Sequence, residues 1–527
     1  MRKDVFLNFR GNNCCRDEGL KKVADMGRWG FTHFTNFTGF TASVITLSSL
    51  YNNRFVKRFI ALTSNTTGLS RDASATAVEN PAFNGIPTPK GARPIIGHVL
   101  SLGSNLPKTF HKWHKELGLI FRFKLGSKDV IVISNPALTQ DLLTTHGKYT
   151  SDRPDNFALQ NFNGGNNHGL VAGNPNDKVY NTLRKTVLNA LGPKRLKEES
   201  SVLCKEADEF VDLVSTGENI DPLEPLMRIS LNFILLTLFS TRTTSIDDPL
   251  YKQAIHIITT FMLFTGIVNA AAAVIPILRV LSPILGNDKK MSDFFTNTCK
   301  SFYDSLVEKG LDADGDSMAK LLNDELNQGK RGNYDNMFHT IYDMLVAGTD
   351  TTGEEIDAFV DKHGRVPYFW ERDSVPYMIA VQRECFRLRP TTEFGVAHAV
   401  AKDCTWIFAN MMDAHVDPEK YSNPEEFNPD RFLGQENTKF PSANRKAESR
   451  DQFNFGWGRR VCPGSYLAET QMFNVWVRVL SRCNIIPAVD KDGNAMPRTL
   501  DTVAPKSGPI VVSPSPFKIR FDPRNKN

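Results

Sequence analysis

The segment Phe455-Gly-Trp-Gly-Arg-Arg-Val-Cys462-Pro-Gly464 sets a cysteine among glycines and arginines. A thiolate is an anion and persists at neutral pH only beside positive charge or N–H donors. Glycines let backbone N–H groups approach the sulfur, because they tolerate positive φ. The apolar run from Tyr466 and Leu467 predicts a helix beginning after Gly464, whose N-terminal dipole favours the sulfur further. Such a cysteine suits iron ligation through a single thiolate; a lone cysteine otherwise packs as a small hydrophobe. Glu384 and Arg387, three apart, share a helix face and can pair, although such pairs are common and weak on a surface. Ala347-Gly-Thr-Asp350-Thr351-Thr352 follows Met337, Ile341, Met344 and Leu345 at helical spacing. Its Gly and Thr cost helix stability, and Thr hydroxyls can bond back to the i−4 carbonyl and bend the axis; a helix end capped by threonine is the plainer account. Tyr180 and Arg184 offer a hydroxyl donor and a carboxylate-matching fork, or an ordinary surface pair.

These side chains need a scaffold. The 527 residues hold 23% charged and 41% hydrophobic residues, which excludes disorder and coiled coil. Net charge is +5 with no dense basic block, so nucleic acid is not an expected partner. Eight cysteines without a CxxC pair do not make a disulfide scaffold, and a reducing compartment is the default expectation. Residues 1–85 read as a leader and linker. Within them Phe31 to Leu50 runs twenty residues without Lys, Arg, Asp or Glu, enough to cross a bilayer, though Thr, Ser, His33 and Asn36 weaken its hydrophobicity. Flanking charges on both sides leave its orientation open. The prolines of Ile86-Pro-Thr-Pro-Lys-Gly-Ala-Arg-Pro94 make a stiff entry to a folded domain, 86–527.

Residues 120–134 alternate around Gly-Ser-Lys-Asp and predict a β-hairpin. The Asn/Gly-rich 155–177 predicts a mobile loop. Helical patterns then dominate to about 390 with no fixed-period repeat, so one large, mainly α domain with small β-sheets is expected. Ile257 to Leu278 carries no charge over twenty-two positions; a buried or membrane-grazing helix pair fits it better than a span.

The cysteine segment matches F-x-x-G-x-R-x-C-x-G in full through Phe455, Gly458, Arg460, Cys462 and Gly464. In this the sequence resembles the cytochrome P-450 superfamily of haem-thiolate monooxygenases, of the eukaryotic microsomal and fungal-like type. The resemblance implies haem b between a distal helix and the cysteine loop, with Cys462 as axial ligand, Phe455 in the loop and Arg460 on a propionate. It implies that Glu384, Arg387 and Arg431, the last in Phe427-Asn-Pro-Asp-Arg431-Phe, form a structural network below the haem. It makes Asp350 and Thr351 an acid–alcohol proton relay. Tyr180 and Arg184 resemble the family's W-x-x-x-R, with Tyr for Trp, and His398 in Gly395-Val-Ala-His398 resembles a further propionate contact. Ser151-Asp-Arg-Pro154 and the Pro-rich entry match other landmarks, so the likeness runs from about 86 to 520. It further implies electrons from NADPH through a separate cytochrome reductase flavoprotein. A small lipophilic substrate, a membrane surface and a place on the cytoplasmic face of the endoplasmic reticulum belong to the same picture. Arg445, Lys446, Arg450 and Arg459 would offer a cationic docking face, or a merely solvated loop, and the 155–177 loop a lid.

The sequence departs from the pattern twice. Thr352 and Glu384 lie only 32 positions apart, leaving out a helix the family places there, and Trp406 runs straight into Ile407-Phe-Ala-Asn where the family has two strands and a turn. Both departures remove scaffold rather than ligands. Rival expectations are a haem binder without catalysis or a misfolded relic, given the two missing scaffold segments, a peroxide-using enzyme of the same ligation, and a multi-span membrane protein with an incidental cysteine.

Overall fold

The computed structural model describes residues 85–103, 105–154, 169–264, 274–275, 287–314, 317–331, 360–390, 392–401, 404–434, 446–450, 452–496, 506–507, 512–513 and 517–524. Phe31–Leu50, the 347–352 motif with Asp350 and Thr351, Arg445 and the 155–168 part of the Asn/Gly-rich segment lie outside these residues. Among the described residues, no helix is long and apolar enough to cross a membrane.

The helices of ten residues or more are α1 (Leu106–Leu117), α2 (Lys178–Ala190), α3 (Ser200–Val214), α4 (Leu223–Phe239), α5 (Pro249–Phe264), α6 (Ser301–Asp312), α7 (Met318–Asn327), α8 (Pro376–Leu388) and α9 (Ser465–Arg482). Their starts follow local chemistry. Asn105 accepts from the Lys108 N–H at α1, Asp177 from Val179 at α2, and Ser317 from Lys320 at α7. Proline occupies the first turn of α8 and of α1.

The strands are β1 (Ile120–Leu125), β2 (Lys128–Ile133), β3 (His398–Ala399), β4 (Trp406–Ala409), β5 (Cys483–Pro487), β6 (Lys506–Ser507), β7 (Val512–Ser513) and β8 (Ile519–Pro523). The largest sheet has the order β1-β2-β4-β3. β1 and β2 make the expected hairpin with Ile120 opposite Ile133, and β4 joins β2 in parallel with Val130 opposite Trp406. Gly126 in the hairpin turn has φ +60°, and a Cβ there would collide with the Val274 carbonyl, so the turn needs glycine. The short β3–β4 connection closes through a Val400 N–H bond to Thr405 O of 2.9 Å. The sheet therefore forms despite the missing strand pair, with β3 cut to two residues.

Alternation along β2 divides the core. Val130 and Val132 pack with Phe110, Trp113, Phe121 and Phe123 on the α1 side. Ile131 and Ile133 pack with Leu143, Phe453 and Trp457 on the other. The main core joins α2, α3, α4, α6, α7 and α9, and most of α9 is buried. Ile257, Val274 and Ile275 of the uncharged stretch are buried within these cores, while 265–273 and 276–278, and with them the expected helix pair, lie outside the described residues.

Candidate functional site

The cysteine loop is closed by backbone bonds: Gly456 N–H to Phe453 O, Arg460 N–H to Trp457 O, and Cys462 N–H to Phe455 O at 2.8 Å. Gly458 has φ +52°, and a Cβ on it would lie 2.4 Å from the Leu143 carbonyl oxygen. Only glycine lets the loop press this closely on the turn at 141–145. α9 starts directly after Gly464, as the sequence predicted.

Cys462 remains accessible among the free cysteines. Burial in surrounding protein nevertheless pushes its thiol up, partly offset by a hydrogen bond from the Gly464 N–H and by the Arg184 charge. Left to the protein alone the sulfur favours its thiol form, and a bound metal ion supplies the missing positive charge.

Cationic and donor groups gather beside it. Arg184, on α2, donates through Nη2 to the Val461 carbonyl at 2.6 Å, one residue from the cysteine. Arg460 is buried, with Nε donating to Ser151 O at 2.8 Å and Nη1 to Leu170 O at 3.0 Å. Its Nη2 donates to Gly173 O. Burial lowers the Arg460 pKa, opposed by the attraction of Tyr180 and Asp152. The guanidinium passes over the Tyr180 ring, 4.9 Å from its centroid. The Tyr180 hydroxyl itself is buried and lies close to the Arg460 guanidinium, although no hydrogen bond of good geometry joins it to a described residue. Arg153 lies in the same region and donates to the carbonyls of Val171, Val396 and Ala397. A cavity of about 140 Å³ opens between Arg153, Arg460, Gly173 and Ala399.

His398 on β3 directs Nδ1 to the Thr150 carbonyl at 2.9 Å. A carbonyl only accepts, so Nδ1 carries the proton and the neutral ring has just a lone pair at Nε2. Burial, then the Arg153 charge, pull its pKa down to about 3, so the ring is neutral at pH 7.

The anticipated brace is assembled in full. Arg387 forks onto Glu384 at 2.6 and 2.7 Å, with both side chains fully buried. Arg431 reaches the same carboxylate at 3.2 Å, and the Asn428 N–H adds a bond of 2.8 Å. The remaining Arg387 donors go to the carbonyls of His415, Pro424 and Glu426. Phe386 of α8 meets Phe455 edge-on at 5.5 Å, which ties this brace to the cysteine loop.

Two expectations are corrected. Arg450 is no docking residue: it is buried over Trp457 and Phe453, 4.3 and 4.8 Å from their ring centroids, and donates to Gly456 O. Arg459 is engaged by Asn176 and Pro175. Exposed Lys446 stays available. The second correction concerns 169–177, the described end of the Asn/Gly-rich segment. It is a helical turn, Gly169–Ala172, followed by a capped turn, and its carbonyls hold Arg460 rather than forming a free loop.

Sequence reasoning missed His415. This fully buried ring stacks on Phe453 at 5.6 Å, and Phe453 stacks on Trp457 at 4.9 Å. His415 Nε2 accepts the Phe453 N–H, while its carbonyl receives Arg387. It therefore joins the Glu384 network to the cysteine loop. No spacing rule links it to either motif.

Comparison with known proteins agrees with this arrangement. The family model described as cytochrome P-450 matches residues 87–353 and 353–513, two stretches meeting where the sequence is short of a helix. Similar curated proteins include cytochrome P-450 monooxygenase drtD of Aspergillus calidoustus, 27% identical over 82% of this chain and 84% of its own. Cytochrome P-450 monooxygenase yanC of Aspergillus niger is 26% identical over 83% and 89%. The 3-hydroxyphenylacetate 6-hydroxylase of Emericella nidulans is 23% identical over 85% and 90%. A sulfur whose thiolate burial disfavours, a buried phenol and the neighbouring arginines fit a haem with its iron and two propionates. With its cysteine loop, its Glu384–Arg387–Arg431 brace and a family match across most of its length, the chain belongs to the cytochrome P-450 family and is a haem-thiolate monooxygenase.

Proposed function

We propose that the chain hydroxylates a small lipophilic molecule, taking electrons from NADPH through a separate reductase flavoprotein at the cytoplasmic face of the endoplasmic reticulum. The observation that carries the reading is the Cys462 loop, where an accessible sulfur meets a Gly464 N–H donor and the Arg184 charge. Bound haem supplies the oxygen-activating chemistry, and the chain supplies binding, proton delivery and a dry chamber. Cys462 would hold the iron. Arg184, Arg460 and Tyr180 would receive the propionates, the arginines turning from the carbonyls they now engage. His398, neutral and committed to Thr150, would serve them as a packing neighbour rather than a donor. Asp350 and Thr351 would carry protons from solvent toward the oxygen side.

Aromatic compounds are the first substrate class to try, since one relative is named for hydroxylating 3-hydroxyphenylacetate. The decisive experiment is the spectrum of the reduced, carbon-monoxide-bound protein. A strongly red-shifted Soret band is expected, lost in Cys462→Ser. Folded protein that stays colourless when supplied with haemin would overturn the reading.

A further inference from the structure

Away from the cysteine loop, α1 carries His111 and His114 three residues apart, so both rings leave one face of the helix. Each directs Nδ1 at the same carboxylate: His111 to Asp413 Oδ1 at 2.6 Å, and His114 to Asp413 Oδ2 at 2.6 Å. Asp413 sits on the short helix Met411–His415, where Asn410 caps its N–H. The three ligand atoms all lie within 4.8 Å of one another. Metal–ligand bonds of about 2.0–2.1 Å put tetrahedral donors roughly 3.3 Å apart, so the 2.6 Å nitrogen–oxygen contacts would open by about 0.7 Å and separations of up to 4.8 Å would close by about 1.5 Å to admit an ion.

The carboxylate is also held from behind. Ser134 Oγ donates to Asp413 Oδ2 at 3.0 Å, and Asn410 Nδ2 donates to the same oxygen at 2.6 Å. Outer partners of this kind fix the orientation of a ligand before the metal arrives. Burial pushes Asp413 up, but the bonds and charges of His114 and His111 outweigh it and keep the group below the usual carboxylate range. The Asp413 side chain is 2% exposed, His114 24% and His111 42%, so an ion would enter from the His111 side.

We propose that His111, His114 and Asp413 bind a divalent transition-metal ion. Two imidazoles and one carboxylate suit zinc best, with a water in the fourth position. On binding, the proton on each Nδ1 gives way to the metal, moving to Nε2 or to solvent, and the Nδ1 lone pair turns to the ion. The ion ties α1 to the ends of β2 and β4, because Ser134 follows β2 and Asn410 follows β4. It also steadies the helix that ends at His415, the residue joining the Glu384 brace to the cysteine loop. The site is structural and independent of any assignment of substrate.

The test uses the full-length, haem-loaded protein, stripped with a chelator and then titrated with zinc chloride alone. One saturable zinc per chain is expected, counted by elemental analysis beside the haem iron. His111→Ala and His114→Ala should each weaken it more than about tenfold. His111→Asn retains an N–H donor for Asp413 but no imidazole. It should keep the zinc-free melting temperature and lose the rise that zinc gives the wild type. An unchanged carbon-monoxide spectrum verifies that the variants are folded. Absence of saturable zinc, or equal zinc binding by wild type and His111→Asn, overturns the proposal and leaves a hydrogen-bonded clamp.

Discussion

The Tyr180 hydroxyl lies buried beneath the Arg460 guanidinium, with no hydrogen bond of good geometry to a described residue. An unpaired buried hydroxyl costs about 1–3 kcal/mol. Tyr180→Phe should therefore leave the haem-free protein as stable as the wild type or up to about 1 kcal/mol more stable, while speeding haem loss to apomyoglobin. Equal haem loss would remove Tyr180 from the propionate site. The Glu384–Arg387 pair behaves oppositely, because removing one partner strands a fully buried charge. Arg387→Leu should cost about 3–5 kcal/mol in urea denaturation and reduce haem loading. Thr351→Ala should leave the ligation spectrum intact and divert NADPH consumption into peroxide, so unchanged coupling would reject the relay. His415 sets a pH dependence. Burial, then the Lys420 charge, hold its pKa near 3 against about 6.5 unfolded, so the unfolded chain takes up the proton first. The contribution of this ring is full above pH 6.5 and falls as pH drops toward 3, by about 2 kcal/mol at pH 5, and buried His398, also held near 3, acts in the same direction. Glu393 opposes this trend, since burial raises its carboxyl to about 7 and favours the folded state at lower pH. Denaturation at pH 7 and pH 5 in wild type and His415→Gln isolates the histidine, and the variant should lose the acid sensitivity owed to that ring.

At the scale of elements, local chemistry made much of the site legible. Alternation around Gly126-Ser127 marked the hairpin, and the apolar run after Gly464 marked the start of α9, because short-range sterics decide both. The E-x-x-R helix and Arg431 were legible only through resemblance, since an i,i+3 pair says nothing of its own burial. Arg450 was misread for a related reason. A charge in a polar stretch looks solvated until aromatic rings fold over it, and Phe453 and Trp457 do so here. The contacts of His415 and of Asp413 were hidden outright, because their partners on other elements become neighbours only by folding. The Cys462 loop offers a direct check at this scale. Gly458→Ala would drive a methyl into the Leu143 carbonyl, and its haem content should fall well below wild type although no ligand is altered. Normal loading would mean that the loop can retreat without moving the sulfur.

For the whole molecule, the shortened Thr352–Glu384 interval leaves the brace and the cysteine loop assembled. Truncation to residues 86–527 tests the expected leader. If the proposed membrane contact lies in the leader, the truncated protein keeps its ligation spectrum and sediments with microsomes less than the full chain does; equal sedimentation of the two would reject a membrane role for the leader. The two-sided packing of β2 has its own outcome. Val130 and Val132 face one core while Ile131 and Ile133 face the other. Inserting one residue there would exchange both sets at once, delivering each to a hollow shaped for the other. The strand is thus a party wall: substitutions that preserve volume are tolerated on either side, but a shift along its length disturbs both rooms together.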